Sequence, residues 1–114
     1  MNVRIKRVYQ QADTSDGVRI LVDRLWPRGL TKARARVDLW MKEIAPSTEL
    51  RKWFDHDPAK WKEFRTRYRA ELKKNGEQVA QLKKEIGTRK ATLVYGARDE
   101  EHNEAIVLLE FLSR

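Results

Sequence analysis

The stretch Ala91-Thr92-Leu93-Val94-Tyr95-Gly96-Ala97-Arg98-Asp99 decides the fold. Its first five residues form an unbroken apolar, β-prone run, the pattern of an interior strand rather than of one that alternates between core and water. Strands of that kind sit in parallel sheets with helices on both faces. The glycine and the polar residues that follow it end the strand and turn the chain.

Working outward, both flanks read as helices. On the C-terminal side, a helix from about Glu100 to Leu112 carries Ile106, Val107, Leu108, Leu109, Phe111 and Leu112. That apolar surface is too broad for a simple surface helix, so it either fills the core or makes a homodimer contact. On the N-terminal side, Val79, Leu82 and Ile86 repeat at helical spacing before Gly87. Upstream of them, Trp61, Phe64, Tyr68 and Leu72 step by three, four and four along a helix from Pro58 to about Lys74, ended by Asn75-Gly76. Asp57-Pro58 reads as its N-cap and first helical residue. Ser47 or Thr48 caps a shorter helix through Phe54.

Three further strands are expected nearer the N-terminus. Val3 to Tyr9 begins by alternating apolar with basic residues, as a half-exposed edge strand does. Val18 to Leu25 is the second strand, reached through the polar turn Asp13-Thr14-Ser15-Asp16-Gly17. The linker between these two is short for a parallel crossover, which predicts an antiparallel pair. After a short helical piece capped by Thr31 and ending at Arg36, Val37 to Ile44 alternates again as a third strand, stopped by Pro46. The whole is a single α/β domain over residues 1–114, a small three-layer-like fold. Its sheet is mixed, mostly parallel, with about four strands and four or five helices.

Composition bounds the function. The chain has 114 residues, 40% of them hydrophobic, enough for one core. No apolar stretch approaches the length of a membrane span, and Met1-Asn2-Val3-Arg4-Ile5-Lys6 lacks the apolar centre of a signal peptide, so a cytoplasmic location is expected. Zero cysteines removes disulfides, thiol nucleophiles and thiolate metal sites together. The net charge of +8 is carried by two basic blocks, residues 1–36 at +6 and 58–90 at +7, separated by acidic blocks 37–57 at −2 and 91–114 at −3. Such a bias attracts anionic small molecules or polyanions.

The chemistry-bearing words lie just past two strands. Asp23-Arg24-Leu25-Trp26-Pro27-Arg28-Gly29 puts an acid, two guanidiniums and an indole within seven residues. Gly96-Ala97-Arg98-Asp99 follows the interior strand, and His102 and Asn103 come next. Ligands of parallel sheets bind beyond the carboxyl ends of strands, so if these two strands run parallel both words open on one edge. A helix starting near Glu100 would add free amides and its dipole for an anion. Arg24, Arg28 and Arg98 offer planar forks for a carboxylate or phosphate. Trp26 gives an apolar wall, and Asn103 is a further ligand-binding candidate. His102 moves a proton near neutral pH if there is chemistry, with Asp23 or Asp99 orienting it.

Structural readings compete with each of these. Asp23 with Arg98, or Arg24 with Asp99, would serve as ion pairs joining two loops. Asp99 is a good N-cap, Trp26 and Pro27 would cover an open end of the core, and His102 would be an ordinary surface histidine. Whether the chain is an enzyme stays open.

Other chemistry has little to rest on. Only His56 and His102 are available as nitrogen ligands, so no metal site is expected. No P-loop, G-x-G-x-x-G or G-x-S-x-G is present, and no cofactor is implied. The alternative of a basic module for nucleic acid or an acidic protein rests on Lys60, Lys62, Arg65, Arg67, Arg69, Lys73 and Lys74. Trp61, Phe64 and Tyr68 of that helix lie on its core stripe, however, and are poorly placed to stack on bases.

Three blocks, Arg19 to Gly29 (RILVDRLWPRG), Ala45 to Leu72 (APSTELRKWFDHDPAKWKEFRTRYRAEL) and Leu93 to Ala105 (LVYGARDEEHNEA), resemble the YeaO-like branch of the domain of unknown function 488 family. WPRG, ELRKWF, HDP and ARD-x-x-HN are unusual words and occur in the family's order, covering most of residues 18–105. Gly96 and Glu100 depart mildly from the family's pattern and leave Arg98, Asp99, His102 and Asn103 in place. The resemblance implies a small α/β domain and no established activity.

Overall fold

A computed structural model describes residues 2–113. Four strands form one sheet in the order β1 (Val3–Arg7), β4 (Ala91–Tyr95), β2 (Val18–Leu21), β3 (Leu39–Trp40). Every pairing is parallel: β1 with β4, β4 with β2, and β2 with β3. The interior run Ala91–Tyr95 is buried at all five positions, as its unbroken apolar pattern predicts. β1 is an edge strand, as expected.

The expected antiparallel pair does not form. β1 and β2 both run parallel to β4, which lies between them. The chain from Val8 to Gly17 makes the return without a helix. Ten residues reach about 33 Å when extended, enough to retrace a five-residue strand and step across two strand spacings. The link is pinned where Val8 N–H bonds Tyr95 O at 2.7 Å, Val18 N–H bonds Lys90 O at 3.0 Å and Thr92 Oγ1 donates to Asp16 O at 2.7 Å. Gly17, at φ 66°, closes it, and a Cβ there would stand 2.1 Å from Lys90 O, so no other residue fits.

Alternate residues of the interior strands face two layers. Ile20, Val22, Leu93 and Tyr95 point into the larger core with α2 (Thr48–Phe54), α3 (Trp61–Lys74), α4 (Gly76–Ile86) and α5 (Glu104–Leu112). Leu21 and Val94 point the other way, against Val8, Trp26, Leu30, Val37 and Ala35 of α1 (Lys32–Ala35). Phe64, Tyr68 and Leu72 of α3 and Val79, Leu82 and Ile86 of α4 are buried, as their spacing implies. Val107, Leu108 and Leu112 of α5 are buried in the core, where the helix packs on α3, β1 and β4, while Ile106, Leu109 and Phe111 stay partly exposed.

Several boundaries shift. The third strand shortens to Leu39–Trp40 and is followed by a 3-10 turn, Lys42–Ile44. Pro58–Lys60 is also a 3-10 turn, with Asp57 as its cap, and the α-helix proper begins at Trp61. Gly76 opens α4 rather than merely ending α3. The last helix begins at Glu104, not Glu100, with Asn103 as N-cap.

Candidate functional site

Because all four strands are parallel, the loops after them leave the same edge of the sheet. A cleft of about 550 Å³ opens there. Tyr9 follows β1, Asp23 to Arg28 follow β2, Ala45 and Pro46 follow β3, and Gly96 to Asp99 follow β4. Phe54 and Phe64 close the inner side. The two sequence words thus meet, and every residue proposed from them lines this one cleft.

Their individual geometry sorts them. Arg24 is occupied within the chain: Nε donates to Pro46 O at 3.1 Å, Nη2 to Ala45 O at 3.2 Å, and Nη1 lies 3.9 Å from Glu43. It therefore ties the β2 corner to the segment after β3. Arg28 and Arg98 are exposed, and among the described residues neither guanidinium has an ion-pair or hydrogen-bond partner. The anticipated pairs Asp23–Arg98 and Arg24–Asp99 do not form. Trp26 is half-buried, donates Nε1–H to Leu30 O at 2.7 Å and meets Trp40 edge to face at 5.5 Å. It both covers the smaller core and walls the cleft.

Asp99 caps a turn rather than a helix. Its Oδ1 accepts the amides of Glu101 at 2.9 Å and His102 at 3.0 Å, and its Oδ2 lies 2.8 Å from His102 Nδ1. The backbone amide of Glu101, then the imidazole, hold its carboxyl below the usual range. That contact favours the proton on Nδ1 and leaves Nε2 of His102 as the free ring nitrogen. The ring also stands edge-on to Trp61 at 5.2 Å.

Asn103 is used up internally. It is 2% exposed, its Oδ1 caps Ile106 N–H at 3.1 Å and its Nδ2 donates to Asp99 O at 3.0 Å. The amides expected to receive an anion near residue 102 are already bonded to Asp99, because the helix starts later than its sequence suggested. Ser47, whose hydroxyl donates to Glu71 at 2.6 Å, is likewise committed.

Asp23 has the least settled surroundings. Its Oδ2 accepts Gly96 N–H at 2.8 Å, while Oδ1 is buried without a partner. Gly96 permits this approach, since a Cβ there would come within 2.9 Å of Oδ2. Glu104, the first residue of α5, lines the same cleft. Burial, reinforced by the charge of Asp23, pushes the Glu104 carboxyl well above its ordinary range, so it is held toward the protonated form.

Three cleft residues were missed. Glu104 sits one and two helical turns from the buried Leu108 and Leu112, and an acid on that apolar stripe was the available signal. Arg51 and His56 also line the cleft. Asp55 and His56 both adopt left-handed backbone, at φ 47° and 54°, which side chains other than glycine seldom do. Nothing in their residue types announces that. Among the described residues, no group of three His, Cys, Asp or Glu could hold a metal ion. Nor is any described helix long and apolar enough to cross a membrane.

Comparison with known proteins gives a consistent family. An uncharacterised protein of Escherichia coli strain K12, YeaO, is 46% identical over 112 residues, covering 98% of this chain and 97% of the relative. Uncharacterised proteins of Mycobacterium tuberculosis strain H37Rv and of Mycobacterium bovis are each 42% identical over 111 residues, 97% of this chain and 93% of theirs. No solved structure matches. The family model described as the inactive DUF488-N3 subclade matches residues 2–114. By that match and these identities, the chain belongs to the DUF488-N3 family, in the subclade described as inactive.

Proposed function

We propose that the cleft binds a small molecule bearing a phosphate or carboxylate, with Arg28 and Arg98 holding the anionic group. One observation carries this reading. Two exposed guanidiniums without partners among the described residues flank an apolar-walled cleft at the carboxyl edge of a parallel sheet, where such folds take their ligands. Trp26, Phe54 and Phe64 supply the apolar contact, and Nε2 of His102 a hydrogen bond. The family's description as inactive supports retention of a ligand without turnover. His102 and Asp99 then fix the ligand rather than transfer protons.

The basic-module alternative draws less support. Arg65 and Arg69 pair with Glu110, Arg67 pairs with Glu63 and lies over Trp53, and Lys60 donates to Trp53 O. Much of the charge on that helix is therefore already answered within the chain.

Thermal denaturation across a panel of phosphorylated and carboxylic small molecules tests the reading. At least one class raises the melting temperature of the wild type. Arg28→Ala and Arg98→Ala abolish the rise yet leave the unliganded stability within about 0.5 kcal/mol, as expected for exposed side chains with nothing to lose. A rise that survives both substitutions, or no rise with any anion, refutes it.

A further inference from the structure

Charged residues make up 37% of this chain, yet its exposed large apolar side chains are gathered in one place. Among the described residues they are Tyr9, Leu25 and Trp40. Tyr9 and Leu25 line the cleft, and Trp40 packs edge to face on Trp26, which lines it too. The rim they form is held in place. Tyr9 O–H donates to Arg28 O at 2.8 Å and Trp40 Nε1–H donates to Asp23 O at 2.8 Å, so the loop after β2 is pinned on both sides of Leu25. Between those pins Leu25 stands 59% exposed. Apolar side chains scattered singly over a surface need no explanation, but a set gathered at the mouth of a concavity marks a place where something binds.

We propose that the ligand of the cleft is an aryl anion, its aromatic ring laid against Leu25 and Trp26 and its phosphate or carboxylate held at Arg28 and Arg98. This rests on the anion-binding reading above and names the body of the molecule that carries the anionic group. A cleft of about 550 Å³ has the size that takes a whole small molecule, so most of the ligand lies beyond its anionic end. The wall it meets there suits a ring better than a sugar. The one donor of Trp26 is spent on Leu30 O and the hydroxyl proton of Tyr9 on Arg28 O, so hydroxyls placed against them would lose water without gaining a partner. A ring is also favoured over an alkyl chain. It is rigid and loses little conformational freedom on binding, and its faces accept guanidinium stacking from Arg28 or Arg98 as well as contact with the indole.

Calorimetric titration at neutral pH with a matched set of probes is the test. Phenyl phosphate, naphthyl phosphate and phenylacetate are compared with glycerol phosphate, hexyl phosphate, inorganic phosphate and acetate, and with neutral benzyl alcohol. At least one aryl phosphate binds about tenfold or more tightly than glycerol phosphate or inorganic phosphate, as burial of a ring provides, and binds with a negative heat-capacity change. Leu25→Ser, an exposed position where the fold has little to lose, weakens the aryl anions about threefold or more and leaves glycerol phosphate unchanged. Arg28→Ala weakens every anion alike. Glycerol phosphate or hexyl phosphate binding as tightly as the aryl phosphates overturns the aromatic class and leaves the anion reading standing. So does an aryl advantage untouched by Leu25→Ser, which would put the ring elsewhere. Benzyl alcohol binding as tightly as phenyl phosphate, or no binding by any probe, refutes both readings. Sedimentation velocity on the same samples covers the remaining occupant: a dimer that Leu25→Ser dissociates would overturn the proposal in favour of a second copy of this chain on the rim.

Discussion

Glu104 is held protonated by burial and by Asp23, and that has a sign. An unfolded glutamate titrates at about 4.3. Above that pH the unfolded chain releases the proton that the folded chain keeps, so folding stability falls as pH rises from there toward the raised native value. Glu104→Gln keeps the shape and can donate to Asp23 without titrating. The variant is therefore more stable than the wild type at neutral pH, and its advantage widens as pH rises from the unfolded value toward the raised native one. Urea denaturation at a series of pH values measures it, and an advantage independent of pH would contradict the assignment. A residue whose removal stabilises the fold is retained for another reason, which agrees with its place in the cleft. Sequence alone brought Asp23, Arg28, Arg98, Asp99 and His102 to attention, because acids and guanidiniums beside Gly and Pro after strands are conspicuous. It could not reveal that Arg24 and Asn103 are consumed by backbone partners, since those partners are carbonyls and amides that no side-chain pattern reports.

At the scale of elements, the helices were legible wherever apolar spacing and capping chemistry agreed. Ser47 caps α2, Thr31 caps α1 and Gly87 ends α4 as their types suggest. The start of α5 was misread because Asp99 and Asn103 are both good caps, and the sequence does not say which one the backbone uses. The structure makes the difference testable. Asn103→Ala removes the bond to Ile106 N–H and strands a buried position, costing about 1–2 kcal/mol. Asp99→Ala frees amides that water can reach and costs less. Thermal unfolding of the two variants gives their order, and the reverse order would return the helix start to Asp99. The first crossover was misread for a different reason. Loop length limits a helical connection but not an extended one, and what holds this link is a buried polar cluster that is not contiguous in sequence.

That cluster organises the whole molecule. Asp16 is 1% exposed and accepts from Arg19 Nη1 at 2.6 Å, Lys6 Nζ at 3.1 Å and Arg4 Nη2 at 3.2 Å. Burial raises its carboxyl, but the amide of Asp13, Lys6 and Arg19 outweigh that and lower it on balance. Its contribution is accordingly present above the unfolded aspartate value of about 3.9 and is lost as pH falls through the depressed native one. Arg19, 3% exposed, continues the network to Ala35 O and Arg36 O, so one carboxylate joins β1, the crossover, β2 and the chain after α1. The network lies toward the amino ends of the strands, opposite the cleft at their carboxyl ends. The two edges divide the labour, one holding the sheet together and the other left open with unanswered charges. Asp16→Asn leaves Arg19 buried without its counter-ion, a change that costs about 3–5 kcal/mol. For a domain whose total stability is about 5–15 kcal/mol, that is a large share. Urea unfolding of Asp16→Asn should show the loss. Titration of its folded fraction with whichever anion stabilises the wild type should give an unchanged dissociation constant, because the cleft residues do not touch this cluster. A parallel loss of affinity would mean that the two edges are coupled through β2 and β4, and that the cleft is set by the crossover rather than by the loops that line it.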